Sequence, residues 1–447
     1  MLDRVVVIND DTEERGGAAA VALASVRLLR QRDVPVTVLS SDGGSAGLAQ
    51  LGAQAAALGG QHILNGNRAA AALRGLYDAA TGGAAAGWIA AHDTPGTVYH
   101  LHNWHKVLSP SVFRALQPVA SRLLISAHDY FLVCPNGGYF RYPQQSPCQL
   151  APGSLRCLAA NCDRRHYGHK LWRVARHEVR RLLFDLTRTR ADILVVHDGM
   201  VPHFMRGGVP RRRLRVLRNP VVPWRLSRVP AEDNRAVFYV GRVEADKGVD
   251  LLARAARRAG VPLRIIGAGS LEMAVRHENP TAELLGWQSR EQLALSTSDA
   301  RIVVIPTRSR ETFGLAGIEA LLSGIPVIVS RFSLISDEIV RHGFGLSCNP
   351  YDEAGLADAI TALDRDDDRI QEISCRAFSG GRMLAPTPEQ WCDDLLRIYE
   401  SKLAAARLPA EAAGDPEPGD GKDADRENGS RYAARMDATI GMTDALH

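Results

Sequence analysis

The sequence predicts an α/β protein whose parallel, doubly wound sheets are shared between two domains. Three observations predict this. Short β-branched runs alternate with longer helical stretches over most of the chain, the rhythm of strand–helix–strand units. Several of these runs end in glycine-bearing loops, where such sheets bind ligands. The 447 residues are enough for two large α/β domains, each with its own core.

The first series of strands is expected at 5–8, 36–39, 98–101, 123–126 and 193–196, with an apolar helix at 18–29. A second series follows Asn219-Pro220 and a polar, proline-containing stretch, with strands at 237–240, 263–266, 301–305 and 326–329. The expected division is therefore a first domain over 1–220 and a second over 221–385. A closing amphipathic helix falls within 386–405. Residues 406–447 turn to Ala, Gly, Pro, Asp and Glu without periodicity, which predicts a disordered tail.

Composition excludes several classes. A formal charge of +4 and a 6% aromatic content give no sign of nucleic-acid binding. The opening MLDRVVVIND is broken by Asp3 and Arg4 and is neither a signal peptide nor an anchor. No run approaches the ~18 apolar residues of a spanning helix. The expected location is cytoplasmic, at most peripheral at the inner membrane face. Cys134, Cys148, Cys157 and Cys162 cluster without a CxxC pair and are either buried thiols or a structural zinc site.

The most informative motif is ETFGLAGIE, 311–319. It follows a strand and a Pro306-Thr307 turn and runs into a helix, so Phe313, Gly314 and Leu315 lie at a helix N-terminus, where free N–H groups favour a phosphate. Glu311 stands at the mouth of that turn. Glu319 is two turns further, roughly 12 Å along the helix. Carboxylates so spaced hold different parts of an extended ligand, or are solvated positions on an ordinary helix. GRVEADKG, 241–248, directly follows a strand. Its Arg242 and Lys247 suit a diphosphate, or a solvated turn. Gly267, in the loop after the strand at 263–266, is a weaker candidate. Gly16-Gly17 opens the first helix and lets backbone approach a ligand, or makes a tight turn. HLHNWHK (100–106) and AHDY (127–130) put His100, His102, His105, His128 and Asp129 near strand ends, as ligand contacts or as hydrogen-bonded structural groups. The segment 164–190 is rich in arginine. It is expected to pack an apolar stripe inward beneath a solvated basic face, or to dock on an anionic membrane or phosphorylated lipid. The run Arg211-Arg212-Arg213-Leu214-Arg215 supports the latter.

GRVEADKG, IIGAGS (265–270), LLGW (284–287), ETFGLAGIE and SGIPVIVS (323–330) occur in this order, which resembles the donor domain of glycosyltransferase family 4, also called group 1 glycosyltransferases. The resemblance spans about 1–400 and is looser in the first half. It implies the GT-B fold, two Rossmann-like domains facing across a cleft, with the acceptor on the first, the nucleotide-sugar on the second and the last helix packing back onto the first. It also implies transfer with retention and neither cofactor nor catalytic metal. By resemblance, Arg242 and Lys247 hold the donor diphosphate, Glu319 the ribose and Glu311 the transferred sugar. LLGW borders the nucleobase, Gly16-Gly17 faces the donor and His128 touches its sugar. Thr307 stands where many relatives have Ser. The acceptor is expected to be a sugar, a lipid-linked sugar or a polysaccharide precursor of the cell envelope. A GT-B epimerase or phosphorylase, or a non-catalytic sugar-binding relative, would share the architecture. The latter is expected to lack Glu311, Lys247 or His128, and all three are present.

Overall fold

The computed structural model describes residues 1–13 and 16–407. Nine expected strands form close to their predicted positions. They are β1 (Arg4–Ile8), β2 (Val36–Ser40), β4 (Thr97–Leu101), β5 (Leu123–Ala127), β8 (Asp192–Val195), β10 (Ala236–Val240), β11 (Leu263–Ile266), β13 (Ala300–Ile305) and β14 (Val327–Ser330). Four further strands extend the sheets: β3 (Gln54–Ala57), β9 (Leu214–Val216), β12 (Glu283–Gly286) and β15 (Gly345–Cys348). A small antiparallel hairpin, β6 (Phe140–Arg141) and β7 (Ser146–Pro147), lies outside both sheets.

The first sheet has strand order β3-β2-β1-β4-β5-β8-β9 and the second β12-β11-β10-β13-β14-β15. All pairings in the two sheets are parallel. Both sheets are doubly wound. Strand order reverses at the β1/β4 pair in the first and at β10/β13 in the second, which opens a crevice at the carboxyl ends of those strands. The two sheets' helices and loops meet across a cleft, and one apolar cluster joins Val196 and Met200 of the first domain to Phe313 and Ile335 of the second.

The closing helix runs from Pro388 to Arg407. Proline suits the first turn, where its missing N–H costs nothing. Trp391, Leu395, Tyr399 and Leu403 bury against Val5, Val7, Val98 and Leu124 on one face of the first sheet. Lys402 reaches Asp192 at 2.8 Å, both almost fully buried. Burial, partly offset by Asp192, pulls this lysine down to about 8. Residues 406 and 407 are therefore helical, which corrects the start of the expected tail, and 408–447 lie outside the described residues. Among the described residues, no helix is long and apolar enough to cross a membrane.

The basic segment corrects the sequence expectation most clearly. Its helix, Tyr167–Leu183, buries Lys170, Arg176, His177 and Arg180, while Leu171 and Leu182 are exposed. The inward stripe is cationic. Arg176 donates to the carbonyls of His105 (2.8 Å) and Leu108 (3.2 Å), and Arg180 to those of Leu132 (2.9 Å) and Phe184 (3.0 Å). Lys170 donates to the Cys157 and Leu158 carbonyls. Long side chains with several donors satisfy irregular loops whose carbonyls would otherwise be buried unpaired. The run at 211–215 is likewise engaged internally, with Arg215 at 2.9 Å and Arg213 at 3.6 Å from buried Asp192.

Candidate functional site

The two switch points set the site. After β10, the Gly241 N–H donates to Ile266, and a Cβ on Gly267 would overlap the Gly241 carbonyl. Gly267 allows two loops to pack backbone to backbone. That packing holds the following turn, Ala245–Lys247. Arg242 projects outward, with its side chain 61% exposed and 3.4 Å from Asp246.

Lys247 turns inward to Glu311, Nζ to Oε2 2.5 Å. The sequence reading places these residues on different parts of the ligand, and the structure joins them in one partly exposed ion pair. Glu311 is fixed by an isolated parallel bridge to Ser333, its N–H donating to the Phe332 carbonyl at 3.2 Å. Gly314 caps the helix Leu315–Leu322 at φ 75°, a conformation unfavourable for residues with a Cβ. The first bond into that cap comes from Gly317, whose N–H donates to Gly314 at 3.1 Å. The Leu315 and Ala316 N–H groups precede it, at the positive end of the helix dipole. Phe313 is buried in the core, so its backbone alone can serve a ligand.

Glu319 accepts from Trp224 Nε1 at 3.2 Å and lies 3.5 Å from Arg290. Burial raises its pKa, and Arg290 and Trp224 offset this in part. Neither partner was singled out from sequence, because both come from outside the motif. Trp287, at the end of β12, is 76% exposed.

The first domain completes the site. Gly17 lies so near the Leu315 turn that a Cβ on it would stand 3.0 Å from Leu315 Cδ1. Gly16 precedes it at the exposed start of the helix Gly17–Gln31. His128 Nε2 meets His102 Nδ1 at 3.2 Å, while His128 Nδ1 is buried with no partner among the described residues. Burial pulls His128 down to about 4, so its ring is neutral near pH 7. The His128 carbonyl takes a hydrogen bond from Thr312 Oγ1 at 2.7 Å, which ties the strand end to ETFGLAGIE across the cleft. His100 is held by Tyr399 (2.6 Å) and Ser126 (2.8 Å), and its ring lies tilted against His102 with centroids 4.0 Å apart. It is a structural prop. His105 lies 3.8 Å from Asp129. Burial raises Asp129 to about 6.

Asn9 and Asp10, directly after β1, were missed in the sequence because an Asn-Asp pair in a polar loop carries no periodic signal. Buried Asp10 accepts the N–H groups of Lys106, Val107 and Leu108 at 2.9–3.0 Å and so shapes the loop after β4. His197, Arg218 and Glu338 form a second bridge between the domains, with Glu338 2.8 Å from each partner. Burial alone would raise Glu338, but hydrogen bonds from His197 and Arg218 outweigh it and hold it near 2.

Thr307 is fully buried, its Oγ1 3.2 Å from the Asp246 carbonyl, and helps hold the loop after β10. Two of the aspartates at 364–368 pair with fully buried Arg301, Asp364 at 3.3 Å and Asp367 at 2.6 Å. Cys134, Cys148, Cys157 and Cys162 line one small cavity of about 20 Å³. No group of three or more His, Cys, Asp or Glu among the described residues is arranged to hold a metal ion.

Residues 224–378 match the family model described as glycosyl transferases group 1. Among curated proteins, the chain is 30% identical over 181 residues to a GDP-mannose-dependent alpha-mannosyltransferase of Corynebacterium glutamicum, covering 40% of this chain and 43% of that protein. It is 33% identical over 187 residues to a D-inositol 3-phosphate glycosyltransferase of Nocardia farcinica, covering 37% and 40%. The matches thus span less than half of these relatives. Among solved structures, sucrose-phosphate synthase from Thermosynechococcus elongatus superposes with a TM-score of 0.67 at 16% identity, over 90% of this chain and 100% of that one. HepE of Anabaena in complex with UDP-glucose gives 0.62 at 14%, over 89% and 99%. These likenesses show the same two-domain fold.

Proposed function

With residues 224–378 belonging to the group 1 glycosyl transferases and the chain folded as a GT-B protein, we propose that it transfers a sugar from a nucleoside diphosphate sugar to an acceptor held by the first domain, with retention at the anomeric carbon. The observation that carries this reading is the Lys247–Glu311 pair beside the open helix N-terminus at Leu315, with His128 facing it across the cleft.

On this reading, Lys247, Arg242 and the N–H groups of Leu315 and Ala316 take up negative charge as the diphosphate departs. Such preorganised groups stabilise the transition state more than the ground state. Glu311 and the neutral His128 position hydroxyls of the transferred sugar. Gly16-Gly17 admits the donor close to backbone. Glu319, held by Trp224 and Arg290, meets the ribose, and Trp287 borders the base. No carboxylate is assigned as covalent nucleophile. The leaving phosphate accepts the acceptor's proton on the same face of the sugar, and no metal or cofactor takes part.

The relatives' names point to GDP-mannose and UDP-glucose as donor types, and the acceptor on this reading is a sugar, a lipid-linked sugar or a polysaccharide precursor of the cell envelope. The test is a screen of UDP-, GDP- and ADP-sugars for hydrolysis and transfer in EDTA. One donor turned over with retention supports the reading. Activity lost in EDTA and restored by Mn²⁺ or Mg²⁺ removes it. A peripheral membrane contact, if made, would use Leu171 and Leu182 with neighbouring Arg181, the exposed face of the helix Tyr167–Leu183, rather than its inward basic stripe. Sedimentation with anionic against neutral vesicles tests it.

A further inference from the structure

One cavity adjoins the donor motifs and lies mainly outside them. It measures about 1090 Å³ and is lined almost entirely by the first domain, meeting the second only at Arg242 and Asp246. Its floor is the loops that follow β4 and β5, with Trp104, Lys106 and Phe131, and the inner face of the helix Tyr167–Leu183 forms one wall. The cavity therefore adjoins both the diphosphate loop and the strand ends that carry His102 and His128.

Its charge is one-sided. Arg68, Lys106, Arg164, Arg165, Arg173 and Arg176 line it from the first domain, against the carboxylates of Asp163 and Asp246. Asp163 is taken by Arg173 at 3.1 Å, and Asp246 by Arg164 at 3.1 Å and Arg242 at 3.4 Å. Arg68, Lys106 and Arg165 are exposed and have no ion pair among the described residues. Arg176 is buried, with carbonyls on its terminal nitrogens and its Nε unpartnered. Unpaired cations gathered in one concave site repel one another, and an anionic ligand relieves that repulsion. Ile63, Leu64 and Trp172 supply an apolar side to the same cavity.

We propose that this cavity binds an acceptor bearing a phosphate or diphosphate, with the anion held by Lys106, Arg165 and their arginine neighbours. The proposal rests on the glycosyltransferase reading and names the acceptor class. In the reaction, an acceptor hydroxyl oxygen bonds to the anomeric carbon and the bond from that carbon to the donor diphosphate breaks. The hydroxyl proton leaves with the diphosphate, and the acceptor's own phosphate is carried through unchanged. The phosphate could belong to a free sugar phosphate or to a lipid diphosphate headgroup.

Calorimetry on the full chain tests this in three stages. UDP, GDP and ADP are titrated first, and the one that binds is kept saturating. Glucose, glucose 6-phosphate and geranyl diphosphate are then titrated as probes. Last, the titrations are repeated with the double variant Lys106→Ala/Arg165→Ala. The expected result is at least tenfold tighter binding of one phosphate-bearing probe than of glucose, reduced at least tenfold in the variant, with nucleotide affinity altered less than twofold. Preference for glucose 6-phosphate points to the free source, and for geranyl diphosphate to the lipid source. Three results overturn the proposal: phosphate probes no tighter than glucose, equal binding by the variant, or probes that displace the nucleotide. If no nucleotide binds, the glycosyltransferase reading falls, and the proposal with it.

Discussion

At the scale of single residues, the two glutamates of ETFGLAGIE are expected to separate. On the proposed reading, Glu319, with Trp224 and Arg290, meets the ribose, a contact made equally in ground and transition states. On the same reading, Glu311, paired with Lys247 at 2.5 Å, meets the reacting sugar beside its leaving group. Glu319→Gln should therefore weaken binding of the free nucleoside diphosphate. Glu311→Gln should bind that nucleotide nearly normally and transfer poorly. Calorimetry paired with a transfer assay reads both effects, and the reverse pattern would reverse the donor along this helix. Lys247→Ala should cost roughly 2–4 kcal/mol of transition-state stabilisation, the scale for a preorganised electrostatic group. Unchanged kcat/KM would take Lys247 out of the site. The residues legible in sequence were those whose neighbours define a local turn, as Lys247 and Glu311 do. Trp224, Arg290 and Asp10 were not, because each acts on a residue distant in the chain, and no local pattern encodes a partner 95 positions away, as between Trp224 and Glu319.

At the scale of elements, the long buried strands were legible and the edges were not. Strands such as β1 and β13 are β-branched and buried along almost their whole length, so their composition announces them. The strand β3 is QAAA and mostly exposed, and β9 lies inside an arginine run. Neither offers a strand-like pattern to read. The helix Tyr167–Leu183 misled for a related reason. Amphipathic reading assumes that water takes the charges, whereas here buried loop carbonyls take them. Arg176→Ala would leave several of those carbonyls without donors and should destabilise the fold by at least about 2 kcal/mol, measured as a lower urea midpoint. Leu182→Ser, on the exposed face, should leave that midpoint unchanged. Equal effects would mean that the helix is oriented differently.

At the scale of the whole molecule, burial keeps several histidines neutral at once. His100, His177 and His203 are held near 3 and His128 near 4, against about 6.5 in an unfolded chain. Between those values the unfolded state binds more protons, so the stability these groups provide above pH 6.5 is lost as pH falls toward 4, by up to about 1.4 kcal/mol per pH unit for each group. Asp129, raised to about 6, and Asp10 and Glu319, also raised by burial, work in the opposite direction over part of this range, but the buried histidines outnumber them. The urea midpoint should therefore drop between pH 7 and pH 5, and a constant or rising midpoint would contradict the burial described. The closing helix has a different consequence. It covers Val5, Val7 and Val98 with residues 391–403, so one layer of the first domain is encoded after the entire second domain. As the chain leaves the ribosome, the first sheet is complete by Val216 yet keeps part of one apolar face uncovered until nearly two hundred more residues have been made. Domains usually fold in order of synthesis. Here the first to appear is the last to be finished, and its maturation is tied to completion of its neighbour.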